Sequence, residues 1–151
     1  FEPASFDVAT MIHVGMNIED KARLFAEVRK VLKPGGVFGI FDIMQIEPGA
    51  LTFPVPWSAT PQTSFVAPLA DYRRLLTAAG FAVGAERVLR DFALAFFREM
   101  RAKSAAANAS GKAMPSTQLI MGPAFPQKMQ NVVGSVERGL IAPVELICCA
   151  A

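Results

Sequence analysis

Apolar residues along the chain lie in short continuous runs that alternate with amphipathic stretches. Residues 6–12 form a β-prone run that predicts a strand buried on both faces, and residues 37–43 form a second continuous apolar strand. Residues 17–32 between them place their apolar side chains at helical spacing. Strand, helix and strand with short joints form a right-handed crossover, so the two strands are predicted to be parallel.

The first helix has start and stop signals. Asn17 is a candidate N-cap, and Glu19 and Asp20 suit the positive end of the helix dipole. Residues 33–36, Lys-Pro-Gly-Gly, end the helix because proline cannot continue the hydrogen-bond ladder and glycine permits the turn.

The second half of the chain repeats the alternation with weaker patterns. Pro143 in the last run predicts a strand at a sheet edge or near a bend, because proline lacks a ladder donor. The predicted elements are a helix from Pro68 to Gly80, a strand over residues 81–89, a helix over 91–104, helical material over 117–138 broken by Gly122-Pro123 and Pro126, and a strand over 140–149.

Two segments lack a clear period. Residues 47–67 contain several prolines and the only tryptophan, Trp57, and a loop of this length predicts either a lid or acceptor loop that forms a pocket wall, or simple surface packing. Residues 105–116 are rich in Ala, Ser, Asn and Gly, which predicts a flexible linker. The length of 151 residues fits one domain.

Composition excludes several classes of protein. A net charge of +2 with dispersed Lys and Arg argues against nucleic-acid binding, and the apolar runs are too short for a membrane span. Cys148 and Cys149 are neighbours in an apolar run, so buried thiols and a reducing cytoplasm are expected. With one histidine and two adjacent cysteines, no residues have metal-ligand spacing.

Motifs in residues 6–43 resemble the class I S-adenosylmethionine-dependent methyltransferases. The likeness is carried by Phe6-Asp7-Val8-Ala9, by the loop Met11 to Asn17, and by Leu24 to Gly36, which ends in Leu-Lys-Pro-Gly-Gly. These segments resemble the fourth strand, its loop and helix, and the turn into the fifth strand. The nearest likeness is to methyltransferases of the ubiquinone/menaquinone-biosynthesis and sarcosine-methylating type.

The resemblance implies the C-terminal half of a Rossmann-like α/β fold: a mostly parallel sheet with flanking helices and an antiparallel last strand. It also implies S-adenosylmethionine as cofactor and a small-molecule methyl acceptor. The family's Gly-x-Gly turn and ribose-binding acidic residue are not found, so the cofactor-binding N-terminal half is expected to be missing and this chain alone to be inactive.

Candidate site residues follow the two predicted parallel strands, because ligands bind at the carboxyl ends of such strands. The resemblance places Thr10, Met11 and Ile12 along the cofactor. His13, the sole histidine, is the candidate catalytic base or acceptor-binding group, because its ordinary pKa suits proton transfer near neutral pH; the alternative is a structural histidine in the loop.

Three further side chains are candidates for acceptor binding, each with a structural alternative. Asn17 could instead cap the helix, Asp42 could cap the turn after its strand, and Trp57 could simply pack in the core.

The strand at residues 6–12 is expected to form an unprotected sheet edge. Such an edge recruits another strand, so a homodimer joined antiparallel through Phe6–Ile12 is expected. An alternative to the enzyme is therefore a non-catalytic half-domain that dimerises and serves as a binding or scaffold module. A third reading, another Rossmann-like half, fits the Leu-Lys-Pro-Gly-Gly context less well.

Overall fold

A four-stranded sheet lies between two layers of helices in the computed structural model, which describes residues 1–109 and 122–151. The elements in chain order are β1 (Phe6–Ile12), a 3-10 turn (Gly15–Asn17), α1 (Lys21–Val31), β2 (Leu32–Gln45), a 3-10 turn (Pro61–Thr63), α2 (Leu69–Ala78), β3 (Phe81–Val88), α3 (Arg90–Ala109), α4 (Phe125–Glu137) and β4 (Ile141–Ala150).

The strands are ordered β1-β2-β4-β3. β1 and β2 are parallel, as predicted from the crossover through α1, whereas β4 runs antiparallel to both of its neighbours. The α/β fold and the antiparallel last strand are confirmed. The expectation of a mostly parallel sheet needs correction, because the insertion of β4 between β2 and β3 makes two of the three described pairings antiparallel.

One face of the sheet is covered by α1 and α2. Side chains alternate between the faces of a strand, and those on this face interlock with the apolar sides of the two helices. Phe25 of α1 and Tyr72 and Leu76 of α2 have no exposed surface. The strand residues of this first core are Met11, Leu32, Phe38, Ile40, Met44, Phe81, Val144, Leu146, Cys148 and Ala150.

The opposite face is covered at one end only. There α3, α4 and the proline-rich segment 47–67 pack on Ile43 and Ile141 to form a second core. Farther along the face, Val8 is 58% and Ile12 61% exposed. The predicted burial of β1 on both faces is therefore wrong, because β1 is an edge strand and no described element covers its second face.

The last strand also differs from expectation. β4 is internal to the sheet, so the predicted edge position of Pro143 is wrong. The carbonyl of Pro143 accepts a hydrogen bond from Leu89 N–H, just beyond the end of β3. The N–H and C=O groups of one strand residue point to the same side, so an N–H at position 143 would also face β3. Because β3 has already ended at Val88, the N–H that proline lacks leaves no carbonyl of β3 without a donor.

The two cysteines of β4 have different environments. Cys148 lies in the first core, and burial, with a smaller contribution from Cys149, raises the pKa of its thiol to about 11. Cys149 points to the open face and is exposed, so the expectation of two buried thiols is wrong for this residue. Adjacent strand residues face opposite sides of a sheet, which separates the pair.

Helix boundaries shift at several predicted breaks. Pro126 lies in the first turn of α4, where proline is tolerated, so it begins this helix instead of breaking it. The linker predicted over residues 105–116 overlaps α3, which continues to Ala109; residues 110–116 lie outside the described part, as do 117–121 of the predicted helical material. None of the described helices is long and apolar enough to cross a membrane.

Candidate functional site

The chain turns sharply at His13, immediately after β1 ends with Ile12 paired to Phe41 of β2. His13 adopts a left-handed backbone conformation with φ of 53°, and its N–H donates to Phe41 O at 2.8 Å. Its exposed imidazole meets the Phe41 ring edge-on at 5.0 Å between centroids. A non-glycine residue with positive φ is uncommon, and histidine is among the few that adopt it more readily. The turn therefore presents the only imidazole to solvent at the strand ends.

The predicted cofactor segment, Thr10 to Ile12, is divided between two faces. Thr10 and Ile12 are exposed on the open face of β1, whereas Met11 is 6% exposed and packs in the first core. The side chains of Thr10 and Ile12 are thus available to a ligand at this edge. Met11 instead holds the strand to the helices beneath it.

Asp42, the predicted acceptor contact on β2, is completely buried. Tyr72 O–H donates to Asp42 Oδ2 at 2.8 Å, and Ile43 N–H donates to Oδ1 at 2.9 Å. Burial raises the pKa of Asp42, against the opposing effects of these hydrogen bonds and of His13 and Lys21. The carboxylate serves the packing beneath the His13 turn, and direct contact between Asp42 and an acceptor stays a prediction.

Gly15 brings the turn into direct contact with that buried pair. A Cβ at this position would lie 2.5 Å from Tyr72 Oη and closer still to Asp42 Oδ2. No side chain larger than hydrogen fits there without displacing two buried polar groups. The glycine thus sets how closely the turn approaches β2 and α2.

Lys21, which the sequence patterns did not single out, joins the same polar cluster. Its side chain is folded inward, with 4% of the residue exposed, and Nζ lies 5.7 Å from the centroid of the Tyr72 ring. Burial lowers the pKa of Lys21, and the charge of Asp42 opposes that effect. A signal was present in the sequence: a lysine in the first turn of a helix is unfavourable to the helix dipole and needs another reason.

The remaining predicted site residues lie in two places. Asn17 is exposed in the 3-10 turn and does not cap α1; Asp20 does, its Oδ1 accepting from Arg23 N–H at 2.9 Å. Trp57 is half-buried against the second core, and its Nε1 donates to Ser64 Oγ at 3.0 Å. Asn17 is therefore free for other contacts, whereas Trp57 is already committed to the packing of its own loop.

Metal chemistry has no evident place in the described part of the chain. Over residues 1–109 and 122–151, no group of three or more His, Cys, Asp or Glu side chains is arranged to hold a metal ion. What the strand ends offer is an exposed imidazole above a buried Asp–Tyr pair, next to an apolar strand edge.

Substitution of Gly15 by alanine should destabilise the fold by about 1–3 kcal/mol, as overpacking of a close contact generally does. The matched control is Gly134→Ala in α4, where a Cβ meets nothing within 4 Å. Removing glycine from a helix interior stabilises by about 0.5–1 kcal/mol. Urea unfolding measures both variants, and a Gly15→Ala protein as stable as the unchanged protein would show that the turn does not press on Asp42 and Tyr72.

Substitution of Asp42 by asparagine should change the pH dependence of stability. A carboxyl with a raised pKa binds its proton more tightly in the folded state, so its contribution to stability falls as pH rises from about 3.8 through the folded pKa. The unfolding free energy of the unchanged protein minus that of D42N should therefore decrease as the pH rises above about 4. Asp91→Asn on the surface of α3, where the side chain is 98% exposed, is the matched control. A difference that is constant or increases with pH would contradict the burial of an ionisable group here.

Sequence comparison finds a methyltransferase signature at the start of the chain. Residues 1–40 match the family described as "Methyltransferase domain". Sterol 24-C-methyltransferases of Candida albicans and Clavispora lusitaniae are each 43% identical to the chain over 42 residues, which are 28% of this chain and 11% of those proteins. Residues 1–40 contain β1, the His13 turn, α1 and the beginning of β2.

Structure comparison extends the likeness to the whole chain. A putative sarcosine dimethylglycine methyltransferase from Galdieria sulphuraria has a TM-score of 0.72 at 18% identity, with 100% of this chain and 55% of that one covered. Geranyl diphosphate C-methyltransferase from Streptomyces coelicolor A3(2), solved with S-adenosyl-L-homocysteine, has a TM-score of 0.70 at 14% identity, with 100% of this chain and 49% of that one covered. The [4+2]-cyclase SpnF has a TM-score of 0.67 at 19% identity, with 99% of this chain and 51% of that one covered.

At these identities the structural likeness shows the fold, and the chain spans about half the length of the solved proteins that it matches. Residues 1–40 carry a methyltransferase-domain signature, and the chain as a whole has the fold of the solved methyltransferases that it matches.

Proposed function

We propose that this chain forms the acceptor side of a site for S-adenosylmethionine-dependent methyl transfer to a small molecule. The observation that carries the proposal is the His13 turn, which displays the sole imidazole at the carboxyl ends of β1 and β2 within the segment that matches the methyltransferase family. Ligands of open α/β sheets bind at that end of the strands. A similar structure solved with S-adenosyl-L-homocysteine supports the choice of cofactor.

Methyl transfer requires little covalent chemistry from the protein. The methyl group moves in line from a sulfonium to a nucleophile, so positioning the reactants and excluding water account for most of the catalysis. Thr10 and Ile12 would face the cofactor from the open side of β1. His13 would bind the acceptor or remove its proton, with Asn17 beside the turn and the Trp57 loop as the outer wall of the acceptor pocket.

Calorimetry with S-adenosylmethionine tests the cofactor assignment. The 151-residue chain should give a measurable heat at millimolar ligand. Ile12→Arg should weaken S-adenosylmethionine binding on the order of tenfold, because an arginine at this exposed strand end repels the sulfonium. S-adenosylhomocysteine lacks that charge, so its affinity should fall less.

The matched control for this experiment is Val88→Arg. Val88 is also an exposed residue at a strand end, but it lies on β3, at the opposite edge of the sheet. Val88→Arg should therefore leave the affinities for S-adenosylmethionine and S-adenosylhomocysteine unchanged. No heat from the unchanged chain would rule out a catalytic role for this chain by itself, and equal losses in the two arginine variants would remove the proposed cofactor position.

A second function, a non-catalytic module that homodimerises through β1, is favoured by a separate observation. β1 has a free edge whose only charged residue is Asp7, and Val8 and Ile12 are more than half exposed. The other edge strand, β3, is protected in the usual way by charge and irregularity: Arg87 pairs with Glu145, and the register shifts between Val83 and Ala85.

Sedimentation of the chain at micromolar concentration tests this second function. We expect a dimer that Val8→Lys converts to a monomer, because a lysine on an edge strand opposes pairing with another strand. Val88→Lys on β3 should leave the dimer intact. A monomer for the unchanged chain would rule out the β1 interface.

A further inference from the structure

We propose that Lys21 is a positioning residue that fastens the proline-rich segment 47–67 to the His13 turn, so that the two walls of the acceptor pocket are held as one unit. Only the description of the two joined segments as walls of an acceptor pocket rests on the proposed function. The fastening itself is a matter of hydrogen bonds between described residues, and it can be tested without any ligand.

The Lys21 ammonium joins two separate stretches of backbone. Nζ donates to Ile18 O at 2.9 Å, three residues earlier in the chain, and to Phe65 O at 2.5 Å, 44 residues later. A further backbone bond runs between the same stretches, from Phe65 N–H to Met16 O at 2.9 Å. Both backbone polar groups of Phe65 are thus bonded to the segment that follows His13.

The position of Lys21 in its helix indicates that the residue is placed for this contact. It is the first residue of α1, immediately after the N-cap Asp20, where a cation is unfavourable to the helix dipole. Its residue exposure of 4% also means that the ammonium has lost most of its hydration. A buried charge is tolerated only when it is paired and hydrogen-bonded, and here two carbonyls, the nearby charge of Asp42 and the Tyr72 ring supply this compensation.

The contact extends from Phe65 to the tryptophan of the same segment. Ser64, the neighbour of Phe65, accepts the hydrogen bond from Trp57 Nε1, and Trp57 packs against the second core together with Met16. Releasing Phe65 should therefore loosen Trp57 as well. Because Trp57 is the only tryptophan, its fluorescence reports on this segment alone.

Lys21→Met tests the proposal, since it keeps an apolar stem and removes the ammonium. We expect the amide of Phe65 to exchange with solvent at least about tenfold faster, because the substitution removes the hydrogen bonds that the charged Lys21 Nζ donates to Ile18 O and Phe65 O. Trp57 emission should shift to longer wavelength and be quenched more readily by acrylamide. Lys30→Met, on the exposed side of α1, is the matched control and should change neither signal.

A second control separates fastening from general destabilisation. Leu76→Ala removes buried packing from α2 in the first core, whereas Trp57 packs against the second core, so it should lower the unfolding free energy without changing native Trp57 emission. If Lys21→Met behaves like Lys30→Met, or if Leu76→Ala alters Trp57 as much as Lys21→Met does, the proposal is overturned.

Hydrogen exchange of the unchanged protein keeps the proposal testable even if Lys21→Met does not fold. In low denaturant, the amides of Phe65 and Ile18 should open together with the same free energy, because cooperative units exchange as one. Independent opening of Phe65 would overturn the fastening. Failure of S-adenosylmethionine to bind would bear on the proposed function and leave this result unaffected.

Discussion

A single buried carboxylate organises the end of the fold where the candidate site lies. Asp42 stands at the carboxyl end of β2 with no exposed surface, and Tyr72, Ile43 and Gly15 are packed directly around it. An isolated charge in such surroundings is strongly unfavourable, so the hydroxyl and backbone donors must be held in place. Because Tyr72 lies on α2 and Gly15 in the turn after β1, packing around this carboxylate holds both elements against β2.

The second general feature of the molecule is that helices cover the two faces of the sheet to different extents. α1 and α2 cover the larger part of one face, whereas α3, α4 and residues 47–67 cover the other only where β2 ends and β4 begins. This partial layer lies next to the His13 turn. The open remainder includes the exposed residues Val8, Ile12 and Cys149.

The fold limits the possible function without determining it. Methyltransferases share this architecture with a cyclase, and one scaffold commonly supports several reactions. Methyl transfer is proposed instead because a family signature in residues 1–40 coincides with the exposed imidazole that those residues present. The contacts of Lys21 between the His13 turn and residues 47–67 are the same whatever the reaction.

The sequence by itself determined the elements whose physics is local. The apolar runs of β1 and β2, the crossover through α1, and the Pro68 and Gly80 limits of α2 were all predicted, because periodicity and backbone restriction act within a few residues. Tertiary structure decided which strand lay at an edge, and with it the exposure of β1 and the internal position of Pro143. It also placed Lys21, Asp42 and Tyr72 together, since these residues lie far apart in the chain and only the packing of α1, β2 and α2 brings their polar groups within reach of one another.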